Sequence, residues 1–219
     1  MPNEASTTRI PESVLVCFAL KEEVAPFRKI AAGKSGVSIL ITGIGRDNSR
    51  RFLVNQLAQS TPHLVLTCGF AGGLDPALKI GDVVFEPQDV SLREKLLRVG
   101  ARPGKFFCAA RIASTAAEKK KLRDETHADA VEMESAEIHA LCRERGIPCV
   151  TVRVISDTAH DDMPLDFNQL SKPDMSLDYG KLAWAVAKSP GKIRALLKLQ
   201  KETMLAAGKL AQALAGIIW

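Results

Sequence analysis

The sequence predicts an α/β fold, a sheet covered by helices on both faces. Three observations lead there. Short β-branched runs recur along the chain, and they are apolar almost throughout rather than alternating. Stretches with a 3.6-residue apolar period lie between several of them. In such sheets ligands bind beyond the carboxyl ends of the strands.

In chain order, the first strand is expected over 13–19 and a periodic segment over 22–31 follows it. A second strand is expected over 37–42, then a helix over 47–59 and a strand over 63–68. Lys79-Ile80-Gly81-Asp82 reads as a turn into a strand over 82–85, followed by a helix over 91–99. Strands over 105–109, 128–131 and 149–155 then alternate with helices over 115–125 and 134–145. The end of the chain differs: 177–188 and 190–218 read as two helices broken at Ser189-Pro190-Gly191, and Pro190 suits a first helical turn. Ile193, Leu196, Leu197, Met204, Ala211, Leu214 and Ile218 form an apolar stripe there, with Lys192, Lys198, Lys201 and Lys209 off it. The expected organisation is a flexible polar leader over 1–12, an α/β domain over 13–176 and a basic amphipathic tail over 177–219. That tail packs on the domain with a solvated basic face, or meets anionic lipid or a partner.

Composition excludes several classes. With 219 residues, 46% of them hydrophobic, 25% charged, 15 Gly and 11 Pro, the chain is neither fibrous nor of low complexity. Its longest apolar runs, 14–20 and 37–41, are strand length, well below the ~18–20 residues of a membrane span. With no signal-peptide pattern, the expected location is cytoplasmic. The five cysteines (Cys17, Cys68, Cys108, Cys142, Cys149) show neither CxxC nor metal spacing with histidine and read as reduced core residues. No metal is expected. The net charge of +5 sits in residues 171–219, with eight Lys/Arg against three Asp/Glu, while the first 170 hold 22 of each. With only 5% aromatic residues to stack bases, nucleic acid is not an expected partner.

Five motifs fall at strand ends. Thr42-Gly43-Ile44-Gly45-Arg46 reads as a tight turn or an anion site at a helix start. It lacks the third glycine of a dinucleotide fingerprint. Cys68-Gly69-Phe70-Ala71-Gly72-Gly73-Leu74 reads as a glycine-rich turn that lets a flat ligand approach the backbone. Val131-Glu132-Met133-Glu134-Ser135 puts two carboxylates where a strand meets a helix, one placed to face a cleft and the other to face outward or complement the helix dipole. Arg153-Val154-Ile155-Ser156-Asp157 ends a buried strand on an acid suited to proton transfer or to capping a helix. Leu20-Lys21-Glu22-Glu23 follows the first strand with first-turn carboxylates. Together they would collect carboxylates and glycine loops at one sheet edge, and no Ser-His-Asp pattern or metal cluster competes.

In that order these motifs resemble the nucleoside phosphorylase and nucleosidase superfamily, and within it the methylthioadenosine/S-adenosylhomocysteine nucleosidases, over about residues 13–170. The resemblance implies a three-layer α/β/α sandwich with a central mixed sheet, usually a homodimer. It implies cleavage of the N-glycosidic bond of an adenine nucleoside without a cofactor. By that likeness Asp157 would protonate the purine N7, Glu134 would hold the ribose hydroxyls and Met133 would pack on the sugar. Glu23 would position or activate water, with Glu22 the candidate if the register slips. Ile44, Gly45, Arg46, Ala71, Gly72 and Glu132 would belong to the substrate pocket, Ile112 would offer its backbone to the base, and Ser156 would support Asp157.

The sequence departs from that family at three places. The base-stacking aromatic is Arg111 here. The small Ser or Thr of the glycine loop is Phe70. The segment after Val84 runs almost directly from Asp89 into the helix at Ser91. The basic tail, GFAGGLDPALKIGDVV and SDTAHDDMPLDF are instead similar to hopanoid-associated phosphorylases, a branch linked to removing adenine from adenosylhopane. Inorganic phosphate is the alternative co-substrate to water. The Arg that phosphorylases often place before the glycine loop is replaced near Thr67, which favours hydrolysis. A non-catalytic nucleoside sensor is the alternative outside enzymology.

Overall fold

The computed structural model describes residues 13–86, 90–172, 175 and 178–219. The expected leader at 1–12, Asp89 in the short linking segment, and the expected boundary at 176/177 lie outside the described residues.

The first half of the chain builds the parallel part of the sheet. Strand β1 (Val14–Phe18) leads into helix α1 (Lys21–Ala31), and β2 (Val37–Ile41) leads into α2 (Arg46–Leu57). The long strand β3 (Leu64–Gly73) follows, then β4 (Val83–Phe85), α3 (Val90–Arg98) and the two-residue β5 (Arg102–Pro103). The second half continues with β6 (Phe106–Cys108), α4 (Ala116–Thr126), β7 (Ala130–Glu132), α5 (Ser135–Glu144) and β8 (Cys149–Asp157). Short α6 (Phe167–Leu170), α7 (Tyr179–Lys188), a single 3₁₀ turn (Pro190–Lys192) and the 26-residue α8 (Ile193–Ile218) end the described chain.

The sheet runs β2-β1-β3-β8-β4-β5, with β7 joined to both β3 and β6. β1 pairs parallel with β2 and β3, and β3 pairs parallel with β8, whereas β4 on β8 and β7 on β3 are antiparallel. The sheet is therefore mixed, and three central strands point their carboxyl ends the same way.

Side-chain alternation along those strands makes the layers. Val14, Val16 and Phe18 of β1 face one apolar cluster with Val24 and Phe27 of α1, Leu96 of α3, and Leu210 and Leu214 of α8. Leu15 and Cys17 face the other, with Leu53 and Leu57 of α2 and Ile138 and Leu141 of α5. The central strands are apolar throughout because both faces are covered. Each fully buried Leu contributes roughly 1.5–3 kcal/mol relative to exposure.

Three elements differ from the expectations. The glycine-rich segment is not a turn after a strand: β3 continues through Gly73, pairing with β8 up to Gly72↔Asp157, with a register shift at Ala71/Gly72. Ser156 and Asp157 likewise belong to β8, which extends past 155. The tail stripe divides. Ala211 and Leu214 are buried in the core, but Ile193, Leu197 and Met204 are 44%, 60% and 67% exposed. Among the described residues, no helix is long and apolar enough to cross a membrane.

Candidate active site

The carboxyl ends of β1, β3 and β8 open onto a cleft of about 140 Å³. Glu23, Ile44, Phe70, Ala71, Gly72, Arg111, Ile112, Glu132, Met133, Glu134, Ser156 and Asp157 all line it. Gly45 and Arg46 stand beside it. The Gly45 N–H donates to Glu134 Oε1 at 2.9 Å, and the Arg46 guanidinium donates to the Cys108 carbonyl at 2.6 Å. Gly45 adopts φ +88°, a conformation that favours glycine, and so turns its N–H back toward the cleft wall.

One wall is a buried charge network. Arg153, 1% exposed on β8, places Nη2 2.6 Å from Glu132 Oε2 and 3.2 Å from Glu134 Oε2. The same guanidinium donates to the Cys68 carbonyl at 3.1 Å and to Thr67 Oγ1 at 3.2 Å. Glu132 also accepts from the N–H groups of Glu134 and Ser135 and from Ser135 Oγ. The two carboxylates of the 131–135 motif therefore both turn inward, correcting the expectation that one would face out, because one guanidinium draws both. Burial pushes Glu132 up, but Arg153 and these hydrogen bonds outweigh it and hold the carboxyl below its ordinary value. Glu134 keeps a raised value: burial dominates, opposed by Arg153 and reinforced by Glu132. Arg153 loses from burial and gains more from its three carboxylate neighbours, so its charge is fixed.

Glu23 occupies the opposite lip. Helix α1 begins so close to β1 that Glu23 Oε2 accepts from the N–H groups of Ala19 (2.9 Å) and Leu20 (2.8 Å). Its Oε1 accepts from the Phe70 N–H at 2.8 Å, which ties the glycine segment of β3 to α1. Burial raises the carboxyl to about 7, against the pull of Arg153. Glu22, one residue earlier, is exposed, so the register places Glu23 and not Glu22 at the cleft. Gly69, at φ +147°, lies between these groups: a Cβ there would come within 2.6 Å of Glu23 Oε1 and 2.7 Å of Arg153 Nη1. Only glycine lets the carboxylate and guanidinium approach this backbone from both sides.

Asp157 forms the third corner. Its Oδ1 accepts from Ser156 Oγ at 2.7 Å, and its Oδ2 lies 2.5 Å from the ammonium of Lys119, a residue of α4 that sequence reading passed over. Ile112 has both backbone groups engaged by the Asn168 carboxamide: its N–H donates at 2.9 Å and its carbonyl accepts at 3.0 Å. Asn168, on α6, is a second residue missed in the sequence. Arg111 turns to Glu118 at 2.6 Å, an exposed pair of small energetic weight. Among the described residues no group of three or more His, Cys, Asp or Glu is placed to hold a metal ion. The arrangement is that of a cleft with three separately held carboxylates, suited to proton transfer at one wall and to stabilising positive charge at the others.

The phosphorylase superfamily model matches residues 17–88 and 87–186. The 5′-methylthioadenosine/S-adenosylhomocysteine nucleosidase of Shewanella sp. (strain W3-18-1) is 26% identical over 187 residues, which is 68% of this chain and 81% of the relative. That of Exiguobacterium sp. is 28% identical over 191 residues, 71% of this chain and 82% of the relative. The fold is similar to that of the Neisseria meningitidis nucleosidase solved with methylthio-immucillin-A (TM-score 0.71, 19% identity, 95% of this chain and 99% of that one). It is also similar to a futalosine hydrolase mutant of Helicobacter pylori (TM-score 0.69, 18% identity, 95% and 99%).

Proposed function

The chain belongs to the phosphorylase superfamily, and from that premise we propose that it cleaves the N-glycosidic bond of an adenine nucleoside by hydrolysis, as a nucleosidase of the methylthioadenosine/S-adenosylhomocysteine type. The supporting observation is the convergence of Glu23, Glu134 and Asp157 on one cleft, each held by different partners. Breaking the bond leaves positive charge on the sugar, as in glycoside hydrolysis. It also requires a proton on the departing base. Asp157, steadied by Ser156, delivers that proton to N7. Glu134 takes the ribose hydroxyls and stabilises the developing charge, Met133 packs on the sugar, and Glu23 orients water and receives its proton.

Hydrolysis is favoured over phosphorolysis by what Glu23 does. A phosphate approaching the glycine segment would seek its backbone N–H groups, and the Phe70 N–H already donates to a carboxylate. An anion beside that carboxylate is repelled rather than held. The test is chromatographic. Methylthioadenosine, S-adenosylhomocysteine and adenosine are each incubated with and without phosphate, with Asp157→Asn as control. Adenine release that is independent of phosphate and lost in the variant supports the reading. Release only with phosphate, with ribose-1-phosphate products, makes the chain a phosphorylase. Adenine binding without turnover makes it a sensor.

A second substrate reading, removal of adenine from adenosylhopane, is favoured by the face of α7 and α8 that the core leaves uncovered. Trp184 is 62% exposed there, with Ile193, Leu197 and Met204 nearby and Lys188, Lys192 and Lys201 around them. On this reading the enzyme is a cytoplasmic homodimer that touches anionic membrane through that face, a geometry suited to a lipid-tailed nucleoside. Trp184→Ser with Leu197→Ser then abolishes co-sedimentation with anionic liposomes while leaving turnover of a water-soluble nucleoside intact. Undiminished co-sedimentation removes the membrane reading.

A further inference from the structure

The cleavage proposed above needs one proton for the departing base, and the wall that supplies it contains a lysine whose role remains unassigned. The Lys119 side chain is fully buried, at 0% exposure. Its ammonium lies 2.5 Å from Asp157 Oδ2 and donates to the carbonyls of Thr158 at 2.7 Å and Asp161 at 2.9 Å. An ammonium has three N–H groups, and here each has an acceptor. Lysine is almost never buried this completely unless paired.

Helix α4 holds the residue in place. Thr115 and Glu118 cap its start reciprocally, and Asp162 Oδ1 accepts from the Ala116 N–H at 2.7 Å. The charged groups facing Lys119 are Asp157 at the end of β8 and Asp161 in the turn after it. The Asp161 carboxylate is engaged by the Thr158 N–H and Oγ1, and the charges of Lys119 and of Lys198 on α8 both favour its ionised form. Asp157 is thus the partner that joins Lys119 to the cleft.

We propose that Lys119 is the proton source for Asp157, a positioning residue that acts through it and does not touch the substrate. The proton that Asp157 passes to N7 has to be replaced, and the Lys119 ammonium, within hydrogen-bond reach of Asp157 Oδ2, is placed to supply it. A proton passes from Lys119 Nζ to the Asp157 carboxylate as that side chain hands one to N7, leaving Lys119 a neutral amine and Asp157 a carboxyl until the proton has moved on. The C1′–N9 bond breaks, its electron pair goes to the purine, and adenine leaves neutral. Water adds to C1′ and loses its proton to Glu23. Solvent then returns a proton to Lys119 and removes one from Glu23, which closes the balance.

The test compares Lys119→Met and Lys119→Arg with wild type from pH 5 to 9. The substrates are methylthioadenosine and a 4-nitrophenyl riboside, whose leaving group needs no proton. At pH 7.5, Lys119→Met is expected to lower kcat/KM for methylthioadenosine on the order of 10²-fold, the lower end of what general acid catalysis supplies. Its alkaline limb moves to lower pH, and riboside cleavage is unchanged. Lys119→Arg keeps the charge but does not release its proton between pH 5 and 9, and it is expected to stay impaired on methylthioadenosine alone, which carries the test if the Met variant does not fold. An unmoved alkaline limb, a parallel fall on both substrates, or full activity in Lys119→Arg overturns the proposal. A wild-type enzyme that releases no adenine overturns the cleavage reading itself, and this inference with it.

Discussion

Replacing Arg153 by Met tests whether the buried network holds the fold as well as the site. The guanidinium is 1% exposed and lies within 3.2 Å of both Glu132 and Glu134. Removing it leaves those two carboxylates and Glu23, all at most 5% exposed, without their shared countercharge. Breaking one buried pair typically costs about 3–5 kcal/mol, against a whole stability of about 5–15 kcal/mol for an ordinary domain. At about 2–4 °C per kcal/mol for a chain of this size, Tm falls by about 6–20 °C. The pH dependence supplies a second check. In the variant the buried carboxyls take folded-state values above their unfolded ones. Their contribution is therefore fully present below the unfolded value and lost as pH rises, so the variant gains on wild type as pH falls from 8 to 5.5. Urea and thermal unfolding at both pH values read this directly. A variant as stable as wild type at pH 8, or a deficit that does not shrink on acidification, would refute the reasoning.

Glu23, raised to about 7 chiefly by burial, is expected to set the acid limb of adenine release. The limb falls tenfold per pH unit below that value and disappears, with most of the rate, in Glu23→Gln. Because this folded value is raised, the group's own stability contribution is present at low pH and is lost as pH rises through about 7, so Glu23→Gln flattens that part of the unfolding profile. Gly69→Ala drives a Cβ to 2.6 Å from Glu23 Oε1 at φ +147°. It is expected to cost more than the ~1–3 kcal/mol of backbone strain alone and to abolish activity. Gly33→Ala, at φ +76° with nothing within 4 Å, costs only the strain, and equal losses in the two variants would count against the steric argument.

The strand ends carrying the cleft were legible because both-face burial makes their residues apolar without interruption, and helix periodicity marks what lies between. The reach of β3 was not. Three glycines over 69–73 signal a turn locally, yet β8 and β7 offer hydrogen-bonding edges on either side, and pairing overrides propensity. β5 is two residues long, one of them proline, and exists only because β4 lies beside it. The role of Arg153 was not read from the sequence, although a charge inside an apolar strand demands partners, and the 131–135 carboxylates provide them. Lys119 was hidden in the run Lys119-Lys120-Lys121, which reads as a solvated face. Its helical phase gives it away, since it shares the inward side of α4 with Leu122 and Thr126. Asn168 sits on a single helical turn with no periodicity to expose it.

The packing of α8 has a consequence for how the chain comes together. Leu210 and Leu214 close over Phe18 and Phe27, and the Trp219 ring stacks on Phe27 at 5.9 Å with Lys34 above it. Elements early in the sequence are thus sealed by one far later in it. A nascent chain that has emerged only through β8 presents one side of its central strands to water, with the sheet pairing already available. Folding of this sheet face then waits for α8, its rate governed by contacts far apart in the sequence, such as those between α1 and α8. Until α8 docks, the bare sheet face is where chaperones bind and where aggregation starts.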